Sequence, residues 1–134
     1  MSETIQPAQP PHPGEAWNEI VRRPTLEEFS RAFASDVVLA GSVVSRPIVG
    51  PAGVWAFFQA TREMYERLGF THEVGTNARA CLEWEGVFAG KPVAGATILT
   101  WDDRGAITSV GIYHRPFDQV VAFAEAISRR LGWS

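Results

Sequence analysis

Arg79-Ala-Cys-Leu-Glu-Trp-Glu-Gly-Val-Phe88, Ala89-Gly-Lys-Pro92, Val93-Ala-Gly-Ala-Thr-Ile-Leu-Thr-Trp101, Asp102-Asp-Arg-Gly105 and Ala106-Ile-Thr-Ser-Val-Gly-Ile-Tyr-His-Arg115 decide the fold. Three runs rich in β-branched and aromatic residues are separated by two short, glycine-bearing joints, which is the pattern of consecutive antiparallel hairpins. Alternation along a strand sorts side chains by face. It groups Leu82 with Trp84 and Phe88, Thr97 with Leu99 and Trp101, and Val110 with Ile112 and His114. Thr71–Asn77 reads as a further strand in front of these, completing a four-strand meander.

Working outward, the segments on either side read as helices. Gly50-Pro51 opens the clearest one, with proline in the first turn where a missing N–H costs nothing. Val54, Trp55, Phe58, Thr61, Met64, Tyr65 and Leu68 fall on one stripe, and Gly69 stands where a left-handed cap belongs. Upstream, Glu15–Arg23 reads as a short helix ended by Pro24. Thr25-Leu-Glu-Glu28 reads as a capping box that starts a second helix reaching about Ala34. Asp36–Leu39 is expected as a strand, and Ser42–Val49 as another interrupted by Pro47. Pro116–Leu131 is expected as a final helix, with Val120, Val121, Ala124, Ile127 and Leu131 inward and Gly132 as its stop. Helices, one or two strands, a helix, a meander and a last helix make an α+β domain with helices on one face of a curved antiparallel sheet.

The 134 residues suit a single domain, residues 15–134, preceded by an arm over residues 1–14 in which Pro7, Pro10, Pro11 and Pro13 forbid regular structure. Residues are 46% hydrophobic and 20% charged, so a real core is expected and disorder is not. The net charge of −3, with cations scattered, argues against a nucleic-acid partner. The sequence shows neither a membrane-length apolar run nor a signal peptide. Cys81 is the one cysteine, which makes a reducing cytoplasm the simplest location.

The order of elements resembles the nuclear transport factor 2-like superfamily, which includes the SnoaL polyketide cyclases and bacterial ketosteroid isomerases. Phe33-Ala-Ser-Asp-Val-Val-Leu39, Gly50-Pro-Ala-Gly-Val-Trp-Ala-Phe-Phe58, Phe88-Ala-Gly-Lys-Pro92, Leu99-Thr-Trp-Asp-Asp-Arg-Gly-Ala-Ile107 and Ile112-Tyr-His-Arg-Pro-Phe117 carry the resemblance, which spans roughly Thr25 to Arg115. It implies a cone: a bent sheet wrapped around the N-terminal and central helices, enclosing an apolar pocket, with the outer sheet surface making a homodimer. It also implies that Thr97, Leu99, Val110 and His114 look inward. The ligand class it implies is a small hydrophobic molecule such as a polyketide, steroid or terpene.

The same resemblance argues against ketosteroid isomerase activity. That reaction needs a carboxylate base and a protonated Asp donating to the enolate oxygen. The matching positions fall near Gly41 and at Thr97, and residues 15–34 hold no tyrosine. His114 is left as the candidate proton-transfer residue, because an imidazole in an apolar cavity stays neutral and can exchange a proton. Thr97 or Tyr65 would orient the ligand, and Trp84, Trp55, Phe58, Leu99, Val110 and Ile112 would line its pocket. Glu83 and Glu85 share a face that points away from the core set. His72, Cys81 and His114 lack metal-ligand spacing, so neither a metal nor another cofactor is expected. Two functions remain open at this level: acid–base chemistry of isomerase, cyclase or hydrolase type on a hydrophobic carbonyl compound, and ligand binding or scaffolding without turnover.

Overall fold

A computed structural model describes residues 13–133 of the chain. Of the expected arm, residues 1–12 lie outside the described residues. Pro13 and Gly14 instead begin helix α1, Pro13–Val21, where the Gly14 N–H donates to Glu73 Oε1 at 2.9 Å. Next come α2 (Leu26–Ser30), β1 (Phe33–Gly41), β2 (Ile48–Val49), α3 (Pro51–Arg62), β3 (Tyr65–Gly75), β4 (Arg79–Phe88), β5 (Lys91–Trp101), β6 (Ile107–Arg115) and α4 (Phe117–Arg130).

The sheet runs β2-β1-β6-β5-β4-β3 and does not close. It is antiparallel except where β1 lies parallel to β6. That one parallel pair departs from the all-antiparallel expectation, and the intervening elements supply the long crossover it needs. The curved sheet, the helices on its inner face and the C-terminal helix form the α+β cone expected from the sequence. The core between them holds Trp17, Phe29, Val37, Leu39, Val54, Phe57, Leu82, Leu99, Ile107, Phe123 and Ile127, each at most 4% exposed.

Local chemistry sets most boundaries. The Thr25 hydroxyl oxygen accepts the Glu28 N–H at 3.1 Å, as a cap should. Its return partner differs from the expected one: the hydroxyl donates to Glu28 Oε1 at 3.0 Å. Between β4 and β5, Ala89 and Gly90 both have positive φ, 55° and 76°. A two-residue hairpin turn of this twist requires that, and it lets Lys91 and Pro92 join β5 instead of the loop. Asp102 Oδ1 accepts the N–H groups of Arg104 and Ala106, at 2.9 and 3.0 Å, and closes the next turn. At the end of α4, Gly132 is left-handed at φ 75°. The N–H groups of Gly132 and Trp133 reach the carbonyls of Arg129 and Ser128, a Schellman stop.

Four expectations are corrected. Helix α2 ends at Ser30, and β1 starts at Phe33, three residues before Asp36, because the Ile107 N–H bonds Ala32 O and draws this segment into the sheet. The second strand shrinks to Ile48–Val49. The central helix stops at Arg62, not at Gly69. Met64 through Leu68 satisfy helical spacing, but Tyr65–Gly75 gain a ladder to β4, and pairing across the sheet outweighs local preference. Helix α4 keeps Val120, Ala124, Ile127 and Leu131 on the core as expected, but Val121 is 42% exposed, and Gln119 and Phe123 are buried beside them. The Gln119 amide fixes that face, since it donates to Phe88 O at 2.9 Å and Lys91 O at 3.1 Å.

Candidate functional site

Strands β4, β5 and β6 bend over α1 and α3, and a small cavity of about 90 Å³ remains between them. Its sheet wall is Trp84, Thr97 and Ile112, and its helix wall includes Trp17, Phe57, Phe58 and Thr61. Tyr65, Leu68 and Phe70 of β3 complete it. A typical ligand pocket has roughly 300–1,000 Å³. The Trp84, Phe57 and Phe58 rings therefore fill much of the cone, and the space left suits a few heavy atoms rather than a fused ring system.

Of the three hydroxyl-bearing residues on this wall, Tyr65 and Thr97 each lie against a ring nitrogen. Trp84 Nε1–H donates to Thr97 Oγ1 at 3.1 Å in the buried interior. Tyr65 Oη and His114 Nε2 are 2.5 Å apart. His114 is itself held firmly: its N–H donates to Ser42 Oγ at 2.8 Å, and its ring packs edge-on to Trp84 and tilted on Phe123. No charged side chain is among these neighbours. Burial accordingly lowers the imidazole pKa to about 4 and holds the Tyr65 phenol above its ordinary range. Both groups are neutral at neutral pH.

The hydrogen positions follow from what is left unpartnered. His114 Nδ1 is buried and has no hydrogen-bond partner among the described residues. A buried orphan N–H is rarer and costlier than an orphan lone pair. The tautomer assigned on that ground carries its hydrogen on Nε2 and donates it to Tyr65 Oη. The phenol hydrogen is then free for the cavity. The Thr97 hydroxyl has the same arrangement, accepting from a ring N–H with its own hydrogen still to give. Thr61 differs, since its hydroxyl turns back to Phe58 O at 3.4 Å.

The sequence-derived residues divide accordingly. Tyr65, Trp84, Thr97, Phe58 and Ile112 share the cavity wall. His114 is 7% exposed and sits behind Tyr65. Leu99 and Val110, each 1% exposed, are packed core. Trp55 packs against Phe29, with ring centroids 5.2 Å apart, and is not on the wall. Glu83 and Glu85 point outward as expected. Sequence reasoning did not place Trp17, Val21, Phe57 or Thr61 on the wall, nor Leu68, Phe70, Asn18 or Arg62. The misplaced end of the central helix hid Leu68 and Phe70, and no local signal marked Asn18 and Arg62.

Gly41 shows why position 41 carries no side chain. A Cβ there would fall 1.9 Å from Ile112 O, so the backbones of β1 and β6 leave room for hydrogen alone. Among the described residues, no group of three or more His, Cys, Asp or Glu side chains is placed to hold a metal. Among the same residues, no helix is long and apolar enough to cross a membrane.

No family model matches the sequence, and no curated protein matches it significantly. Solved structures do share the fold. A steroid delta-isomerase from Pseudomonas aeruginosa is 20% identical, with a TM-score of 0.77 over 88% of each chain. A bacterial protein with a cystatin-like fold from Silicibacter pomeroyi is 20% identical, with a TM-score of 0.81 over 92% of this chain and 89% of that one. A protein of ketosteroid isomerase-like fold from Catenulispora acidiphila, in complex with trimethylamine, is 19% identical, with a TM-score of 0.62 over 87% and 95% of the two chains. The fold is thus the one that ketosteroid isomerase-like and SnoaL-like proteins share.

Proposed function

We propose that the cavity binds the oxygen end of a small apolar carbonyl compound, with the Tyr65 and Thr97 hydroxyls as its donors. The observation that carries this reading is the pairing of each hydroxyl with a ring N–H, Trp84 to Thr97 at 3.1 Å and His114 beside Tyr65 at 2.5 Å. Such pairing directs two neutral donors at the cavity. Neutral donors fixed in an apolar wall stabilise negative charge as it develops on an oxygen. In an isomerase- or cyclase-type reaction this would favour the enolate, with Tyr65 touching the substrate and His114 positioning it. The carboxylate-free wall favours the second reading, binding without turnover, because an enolate also needs a proton acceptor. The fold neighbours include an isomerase and a protein with a small amine bound, which fits a small ligand in either case. A four-ring steroid does not fit the cavity in this form.

The test titrates a ladder of methyl ketones from butanone to octan-2-one into wild type, Tyr65→Phe and Thr97→Val, and follows α-proton exchange in D₂O by NMR. The expected result is binding that weakens about tenfold in each variant, corresponding to about 1.4 kcal/mol for a lost hydrogen bond. Accelerated exchange would establish the enzyme reading, and binding without exchange the binding reading. No binding, or binding indifferent to both hydroxyls, overturns the proposal.

The homodimer expected from the resemblance would use the outer face of the sheet. There Val38, Ile98, Gly111 and Tyr113 form a shallow groove, and Tyr113 is 49% exposed. Glu83 and Glu85 stand on the same face as Arg79 and Arg115, so it carries both signs of charge, as a self-complementary contact requires. Sedimentation of wild type and Tyr113→Arg checks this: a dimer that becomes a monomer in the variant supports it, and a monomeric wild type refutes it.

A further inference from the structure

The cavity opens into a wider vestibule of about 300 Å³, and Asn18, Val21, Arg62, Tyr65, Leu68 and Phe70 line both. Arg22 and Arg67 join Arg62 around the vestibule, and Glu66 is the one acid there. The Glu66 carboxylate is already engaged, accepting the Gly90 N–H at 2.9 Å. The ion pairs of the described residues are Arg23–Glu19, Arg31–Glu27 and Arg130–Glu63. They involve none of these three arginines. A chain of net charge −3 thus gathers three arginines, Arg22, Arg62 and Arg67, around the opening of its one described cavity with paired hydroxyl donors.

We propose that this basic mouth receives the acidic group of the ligand, so that the site takes a short apolar oxo-acid: carbonyl oxygen inward at Tyr65 and Thr97, carboxylate outward at Arg22, Arg62 and Arg67. The inference rests on the carbonyl reading above and adds a ligand class to it. Val21, Leu68 and Phe70, common to cavity and vestibule, supply an apolar passage for the carbon chain between the two ends. A guanidinium presents parallel N–H donors that match a carboxylate. Cations gathered over a low-dielectric opening also concentrate anions there. The vestibule gives the ligand the length that a 90 Å³ cavity alone denies it.

The experiment is calorimetric titration with 4-oxopentanoate through 7-oxooctanoate and the methyl ester of each, which has the same carbonyl and no charge. The proteins are wild type, Tyr65→Phe and the triple variant Arg22→Gln, Arg62→Gln, Arg67→Gln, whose fold is checked by circular dichroism. In wild type the acid of the best length binds at least about tenfold tighter than its ester. The ratio falls towards one in the triple variant and with added salt. Tyr65→Phe weakens acid and ester alike and leaves the ratio intact. Equal affinity of acid and ester in wild type, or a preference that survives the triple substitution, overturns the basic mouth and leaves the carbonyl reading standing. Failure of every acid and every ester to bind overturns both.

Discussion

Tyr65 Oη lies 2.5 Å from His114 Nε2, joining residues 49 apart in sequence across the inner face of the sheet. Two strands separated by the whole meander supply the two groups, so the pair exists only once β3 to β6 are all in register. It is also the least solvated titratable pair of the cavity region, and its protonation links the site to the stability of the fold.

That link gives the first prediction. His114 titrates near 6.5 when unfolded and at about 4 when folded, because burial penalises the imidazolium. Between those values the unfolded chain binds more protons, so stability rises with pH. The contribution is intact above pH 6.5, is lost as pH falls, and is fully lost near pH 4. The loss is about 3 kcal/mol. Urea denaturation at a series of pH values should show a steeper fall for wild type than for His114→Gln over that window. Parallel curves would mean that the imidazole is solvated.

Thr97 and Trp84 give the second. Thr97→Val keeps the shape but removes the acceptor for a buried indole N–H. An unpaired buried donor costs about 1–3 kcal/mol. Thr97→Ser retains the oxygen and loses one methyl, about 0.8 kcal/mol. The expected order of urea midpoints is wild type, then serine, then valine, with slopes unchanged. A valine variant as stable as wild type would show that the indole finds another partner.

The fold was legible from sequence because the strands alternate and the turns carry their own chemistry. Asp102 and Gly105 make one turn and Gly90 the other, whatever surrounds them. The site was only half legible. Counting in twos groups Trp84, Thr97 and Ile112 with their neighbours along each strand, and the family resemblance turns the Thr97 and His114 groups inward. Tyr65 could be named but not placed, since its helical spacing with Thr61 and Leu68 is genuine. Only the β4 partner, whose Phe88 stands opposite Tyr65, converts that segment to strand. The outward arginines could not be read at all: nothing in the run Arg62-Glu-Met-Tyr-Glu-Arg67 says that two of its cations rim one opening.

Gly41 supplies the last prediction, and it bears on what this cone can be made to do. In the ketosteroid isomerases that the sequence resembles, the carboxylate base falls near position 41, which makes Gly41→Asp the direct way to install one. The backbone says otherwise, because any Cβ at position 41 meets the Ile112 carbonyl at 1.9 Å, with the Ile112 carbonyl carbon at 2.8 Å. Those atoms belong to the β1–β6 pair, where Gly41 stands opposite Ile112. They cannot swing aside as a side-chain tip would, and Ser42 N–H depends on the same carbonyl at 3.0 Å. Gly41→Ala and Gly41→Asp should both lose more than about 3 kcal/mol, beyond ordinary overpacking. Since β1 and β6 frame the inner face, both should also lose ligand binding. Thermal unfolding of the two variants beside Ser35→Asp, an exposed position of the same strand, checks the claim. If Gly41→Asp folds like wild type and exchanges ketone α-protons, β1 can part from β6, and the missing base is a matter of sequence rather than of backbone geometry.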